Sequence, residues 1–215
     1  MRRFVLALAV ALAAPLLMGA GTPQPFIQRY ISLSDADKAT LDGISAYLNG
    51  FATMKGGFLQ LDAKGNALEG DFYIQKPGRM RFEYHPPSPT LIVSDGQTVA
   101  VANRRLNTVD RYSLKDLPLG VILGDKIDLV HSQQLVSIQR DAGSVVVGLR
   151  SSLNRSKANI FLLFSDPDYE LRQWSVIDAQ GQKTTIILRG ATPGAALSPA
   201  LFVLPQKGPA IRKDN

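Results

Sequence analysis

Two histidines, His85 and His131, and no cysteine define the reactive inventory of this 215-residue chain. A histidine relays protons or ligates a metal only with partners at defined spacing, and neither residue stands in an HxH, HExxH or triad-like setting. His85 runs into Pro86-Pro87 and His131 begins a polar stretch, so both read as loop or surface residues. Asp166, Asp168 and Glu170 crowd together in SDPDYE, but the interposed Pro167 and the missing EF-hand spacing make this a polar turn rather than a calcium loop. Ser94 beside Asp95 lacks the glycine elbow of a hydrolase, and no GxxxxGK or GxGxxG phosphate loop occurs. The absence of cysteine removes thiolate nucleophiles, thiolate metal sites, disulfides and a lipidated N-terminal cysteine. The expectation is a protein that is not an enzyme and uses neither metal nor cofactor.

What remains is the chemistry of apolar surfaces. From Arg79 to Tyr84 three charged residues alternate with Met80, Phe82 and Tyr84, the two-residue period of a strand buried on one side. Just before it, Phe72, Ile74 and Lys76 alternate with Asp71, Tyr73 and Gln75, and Pro77-Gly78 breaks the run. Asp95-Gly96 separates Thr90–Ser94 from Gln97–Ala102 as a hairpin turn. Parity adds Val99 and Val101 to the inward set, and further along Leu162, Phe164 and Trp174. Such side chains either fill a closed core or line a cavity for a flexible guest, and the pattern alone leaves both open.

Other elements must position that face. Ser34 to Phe51 reads as an amphipathic helix, capped by Ser34, with Asp35 and Asp37 at its positive end and Leu41, Ile44, Leu48 and Phe51 sharing one side. A strand over Met54–Asp62, a turn at Lys64-Gly65-Asn66 and a hairpin connection at Asn103–Asn107 leading into Thr108–Ser113 frame the meander. The segment LPLGVILG, residues 117–124, with Leu119, Val121, Ile122 and Leu123, is a greasy piece of at most two helical turns that needs a surface to cover. Strand patterns resume over 134–140, 144–149, 159–164, 171–177 and 184–188, and 191–205 reads as turns ending in a short apolar run. A sheet of about ten strands must curl, close or be covered, and helices over its mouth enclose an apolar hollow.

Composition is ordinary for a globular domain, at 45% hydrophobic and 20% charged residues. Arg2-Arg3, the apolar run Phe4–Met18 and the small residues after it read as an export signal over residues 1–20, cleaved after Ala20 or Gly21 and leaving 21–215 as a single domain. Removal of Arg2 and Arg3 takes the formal charge from +6 to +4. The cations are scattered, without a basic helix or an RNP-like aromatic run, so nucleic acid is not an expected partner.

The stretches GDFYIQKPGRMRFEY and IVSDGQTV, with ALFVLPQKG at residues 200–208, resemble the periplasmic outer-membrane lipoprotein carrier (LolA) family. The resemblance implies a mainly β fold with short α-helices, in which a curved antiparallel sheet forms an incomplete barrel with a helical lid over a hydrophobic cavity. It further implies a monomeric periplasmic chaperone. Such a chaperone takes triacylated lipoproteins from an inner-membrane lipoprotein-releasing ABC transporter and passes them to an outer-membrane receptor or to the outer membrane directly. On that reading Phe72, Ile74, Met80, Phe82, Tyr84, Val99, Val101, Leu162, Phe164 and Trp174 line the acyl-chain cavity. Leu41, Ile44, Leu48, Leu119, Val121, Ile122 and Leu123 form the lid. Lys76 stands where the family commonly has an arginine that latches the lid, and lysine lacks that planar fork. The alternative is a carrier or sensor of another lipid or glycolipid on the same fold.

Overall fold

Strict alternation along so many short segments leaves every strand with one apolar edge to bury, and antiparallel pairing of neighbours is the local solution. The computed structural model describes residues 32–150 and 158–206. The expected signal segment lies outside them. Among the described residues there are eleven strands: β1 (Thr53–Leu61), β2 (Ala67–Gln75), β3 (Arg79–Tyr84), β4 (Thr90–Asp95), β5 (Thr98–Asn103), β6 (Thr108–Ser113), β7 (Leu135–Asp141), β8 (Ser144–Arg150), β9 (Asn159–Ser165), β10 (Leu171–Ile177) and β11 (Lys183–Pro193). They form one antiparallel sheet in the order β6-β5-β4-β3-β2-β1-β11-β10-β9-β8-β7. Two consecutive meanders are thus joined where the first strand pairs with the last, and β6 and β7 end the sheet without pairing to each other.

One α-helix, α1 (Asp35–Asn49), precedes the sheet. It starts where the sequence places it, and a reciprocal box fixes the start: Ser34 Oγ accepts the Asp37 N–H at 3.1 Å while the Asp37 carboxylate accepts the Ser34 N–H at 3.1 Å. It stops at Asn49, two residues short of the expected Phe51, because Gly50 takes the cap position with its N–H on the Tyr47 carbonyl. Gly43, an unfavourable residue inside a helix, is explained by packing. A Cβ there would collide with the Tyr169 ring, so the bare backbone is the seat for that ring.

The greasy segment after β6 forms the 3-10 helix Pro118–Val121, within the two helical turns expected, and another 3-10 helix, Leu114–Asp116, precedes it. The chain then runs back over the sheet to β7. The stretch 191–205 differs from its reading as turns throughout. β11 extends to Pro193, since Thr192 and Pro193 pair with Lys55 and Met54 of β1, and Pro199–Phe202 forms a 3-10 helix.

Candidate functional site: the covered concave face

Side chains of alternate parity on β1–β5 and β8–β11 converge on the concave side of the sheet. Register places Phe72 opposite Phe82, Ile74 opposite Met80, and Trp174 opposite Leu162. The rings make a connected set. Phe58 meets Phe82 and Tyr84 edge-on at 5.1 and 5.0 Å, Phe82 stacks on Phe72 at 6.0 Å, and the Trp174 ring stands edge-on to Phe82 at 5.9 Å. Gly70 makes this possible, because a Cβ there would come within 2.6 Å of the Phe58 ring. Tyr84 keeps its polar end satisfied by donating to Gln60 Oε1 at 2.5 Å, and burial pushes its phenol pKa up.

The cover lies directly on these rings. Leu41, Ile44 and Leu48 of α1 and Ile122 and Leu123 of the post-β6 segment are buried in the same cluster as Phe72, Ile74, Met80, Phe82, Tyr84, Val99, Leu162, Phe164 and Trp174. Leu119 and Phe51 pack on it from positions only partly buried. Val101 shares the inward parity through its pairing with Ile92 but stands outside that cluster, near the sheet edge. Val121 belongs to the 3-10 helix Pro118–Val121, and its side chain lies outside the described ones.

Polar bonds join the two parts of the cover. Asn49 donates to the Ile127 carbonyl at 2.8 Å and accepts the Ile127 N–H at 2.9 Å, and Ser45 Oγ accepts the Leu129 N–H at 3.1 Å. Helix and segment are therefore one composite cover, and besides the bond between Tyr47 and the Leu171 backbone two sets of polar contacts tie it to the sheet. The β2–β3 turn makes one tie. Lys76 donates its ammonium to the Leu48 carbonyl and sits 4.4 Å above the Phe51 ring, and the Gly78 N–H donates to the Leu123 carbonyl at 2.8 Å. Half-burial without a carboxylate partner pushes the Lys76 pKa down to about 8.

Arg140 of β7 makes the other tie, reaching the amino end of α1. Its guanidinium donates to Asp37 Oδ1 at 2.8 Å, the Ala36 carbonyl at 2.5 Å and Thr40 Oγ1 at 2.6 Å. The Ser34 hydrogen bonds and then Arg140 hold the Asp37 carboxyl below the ordinary aspartate value. Strand parity puts Lys76 in series with Phe72 and Ile74 and the family resemblance singles it out, whereas Arg140, about a hundred residues from its acceptors, carries no local signal and was missed. Sequence reading also missed Phe58 and Met54, because Gly56 between them interrupts the visible alternation; a Cβ at Gly56 would lie 2.8 Å from the Phe72 ring.

The residues weighed for other chemistry stay apart from this face. His85 pairs with Asp71 at 2.9 Å and His131 with Asp128 at 2.9 Å, both near the surface. Among the described residues no group of three histidine, aspartate or glutamate side chains is placed to hold a metal ion. The opposite, convex face carries its own apolar patch of Leu91, Val93, Ala100, Ala102 and Val109, with Leu204 packed on it. Arg81 and Arg111 hold the C-terminal segment there through the Leu201 and Pro205 carbonyls at 3.3 and 3.0 Å.

Comparison with known proteins bears on this architecture. The family model described as "Outer membrane lipoprotein carrier protein LolA" matches residues 49–205. An outer-membrane lipoprotein carrier protein of Azotobacter vinelandii is 27% identical over 183 residues, covering 80% of this chain and 86% of that protein. One of Chromobacterium violaceum is 26% identical over 182 residues, covering 80% and 87%. Among solved structures, a LolA superfamily protein of Nitrosomonas europaea aligns over 76% of this chain and 97% of its own, with a TM-score of 0.42 and 7% identity.

Proposed function

The chain belongs to the LolA family of outer-membrane lipoprotein carriers, and from that premise we propose that it binds the acyl chains of lipoproteins on its concave face and ferries them through the periplasm. The observation that carries the reading is the composite lid. A wall rich in aromatic and methionine side chains is covered by elements that stand outside the sheet's own hydrogen-bond ladder, held by apolar packing and by polar bonds that include those from Lys76, Gly78 and Arg140. A guest chain takes the place that Leu41, Ile44, Leu48, Ile122 and Leu123 hold in the closed form. Rings, Met54 and Met80 adapt to a flexible guest by small rotations.

Magnitudes favour a lid that resists. Burying one CH₂ contributes about 0.8 kcal/mol, so one chain of roughly 16 carbons contributes on the order of 12 kcal/mol. Three such chains exceed the practical ceiling of about 18 to 21 kcal/mol for noncovalent binding. A carrier must also unload, and the apolar packing that the lid gives up on opening offsets part of that affinity. Lys76 is then the latch at the carboxyl end of α1, with one carbonyl acceptor and one ring beneath it. Loading from an inner-membrane ABC transporter and unloading to a receptor or to the outer membrane itself complete the cycle.

The test is to purify the protein from periplasm and identify bound material by mass spectrometry. Triacylated lipoproteins are the expected cargo. Free phospholipid or glycolipid in their place would replace this reading with that of a general lipid carrier.

A further inference from the structure

The end of the sheet opposite the Lys76–Gly78 turn holds an arrangement that lid and wall do not use. In the β5–β6 hairpin, Leu106 projects into water at 68% exposure, and it is preceded by Arg104 and Arg105. A single exposed leucine is ordinary. The hairpin that carries this one is braced by hydrogen bonds, and the Arg104 guanidinium beside it is paired with Glu83 Oε1 at 2.6 Å. Asn103 Oδ1 accepts the N–H groups of both Arg105 and Leu106, at 3.0 and 2.9 Å, fixing the turn. The neighbouring β3–β4 loop braces it, with the Pro89 carbonyl accepting the Arg104 N–H at 2.9 Å and the Pro87 carbonyl accepting from the Arg105 guanidinium at 2.9 Å. Loop entropy that would let Leu106 fold back onto the protein has been removed. On the same end of the sheet Leu68, at the start of β2, is 37% exposed, and the β1–β2 turn carries exposed Lys64.

We propose that this tip is a membrane contact: Leu106 enters the interface of an anionic phospholipid bilayer while the Arg105 guanidinium meets its phosphate groups and Arg104 stays paired with Glu83. Shape decides for a bilayer over a protein. A protein interface needs roughly 800 Å² from each partner, and a narrow projecting hairpin offers a small part of that. A bilayer closes around a projecting side chain, and a guanidinium beside it is drawn to anionic headgroups. One leucine and one unpaired guanidinium give a weak, reversible hold, which suits a protein that has to leave again. The contact lies apart from the concave face and does not depend on what that face carries.

Vesicle flotation of the purified protein tests it, with vesicles of mixed phosphatidylethanolamine and phosphatidylglycerol against vesicles of phosphatidylcholine alone. Binding is expected on the anionic vesicles, reduced about tenfold by Leu106→Ser and about fivefold by Arg105→Gln. Leu106→Trp supplies a second reading: its emission is expected to shift to the blue on anionic vesicles and to be quenched by brominated lipid. Leu106→Ser binding as well as the parent, binding indifferent to vesicle charge, or an unshifted Leu106→Trp spectrum overturns the proposal. Acyl-probe uptake in vesicle-free buffer is expected to be unchanged in Leu106→Ser, and its loss there overturns the assignment too. A parent protein that binds anionic vesicles but takes up no acyl probe removes the carrier reading and supports this one.

Discussion

Both faces of the sheet carry apolar residues under a cover, yet they are built differently. On the convex side the patch is Leu91, Val93, Ala100, Ala102 and Val109, mostly small and β-branched, and its cover is the segment 199–206, drawn across by Arg81 and Arg111. On the concave side rings and methionines dominate β1–β3, aliphatic side chains such as Val145, Val147, Leu149 and Ile160 line β8 and β9, and the cover is an amphipathic helix with its partner segment. Small side chains let backbone settle close and leave nothing to rearrange. Large, adaptable ones tolerate an exchange of what lies on them. Burial alone therefore does not distinguish the two faces. The difference lies in side-chain type and in how the cover is tied.

The largest test of that contrast is truncation on each face. Phe82→Ala, which removes the ring touching Phe58, Phe72 and Trp174, is expected to lower stability by about 3–5 kcal/mol in urea denaturation. Val93→Ala on the convex patch is expected to cost about 2 kcal/mol. Acyl-probe uptake should fall with the first and hold with the second, and equal effects on uptake would erase the distinction between the faces.

The two ties come next. Arg140→Gln loses the pairing to Asp37 and is expected to destabilise by about 1 kcal/mol, reduced from the buried value because the pair is partly exposed. Hydrogen exchange should quicken over residues 36–41 while the carboxyl end of α1 keeps its protection. Lys76→Leu is expected to leave stability nearly unchanged and to speed probe entry and release about three- to tenfold. Unchanged exchange of probe would end the latch assignment.

The smallest effect is in pH. Lys76 titrates near 8 when folded and at 10.5 when free, so between those values the unfolded chain holds the extra proton and this group makes stability rise with pH. Over the same range the Lys76 ammonium loses its charge, and on the proposed reading its hold on the Leu48 carbonyl loosens. Stability and probe release should therefore both increase between about pH 8 and 10, and neither increment should survive in Lys76→Leu.

Period-two alternation made the strands visible from sequence, and the Ser34–Asp37 neighbourhood announced the helix start. Parity placed nine of the ten expected wall residues on the face where they lie buried, and put the half-buried Lys76 in the same series. Three things were out of reach for physical reasons. The Arg140 tie joins residues about a hundred positions apart. The convex cover depends on where the segment 199–206 falls in space. Glycines that seat rings, such as Gly56, read as gaps in a pattern that they complete.

Pairing of β1 with β11 at the centre of the sheet has a further consequence. The seam between the two meanders is closed by strands from opposite ends of the chain, so the loop that must be drawn together is nearly the length of the domain. A polypeptide that emerges amino end first holds its first meander unfinished along β1 until β11 arrives. Premature termination anywhere before Lys183 removes the closing strand and leaves β1 as a raw edge, a template for aggregation rather than a shortened working protein.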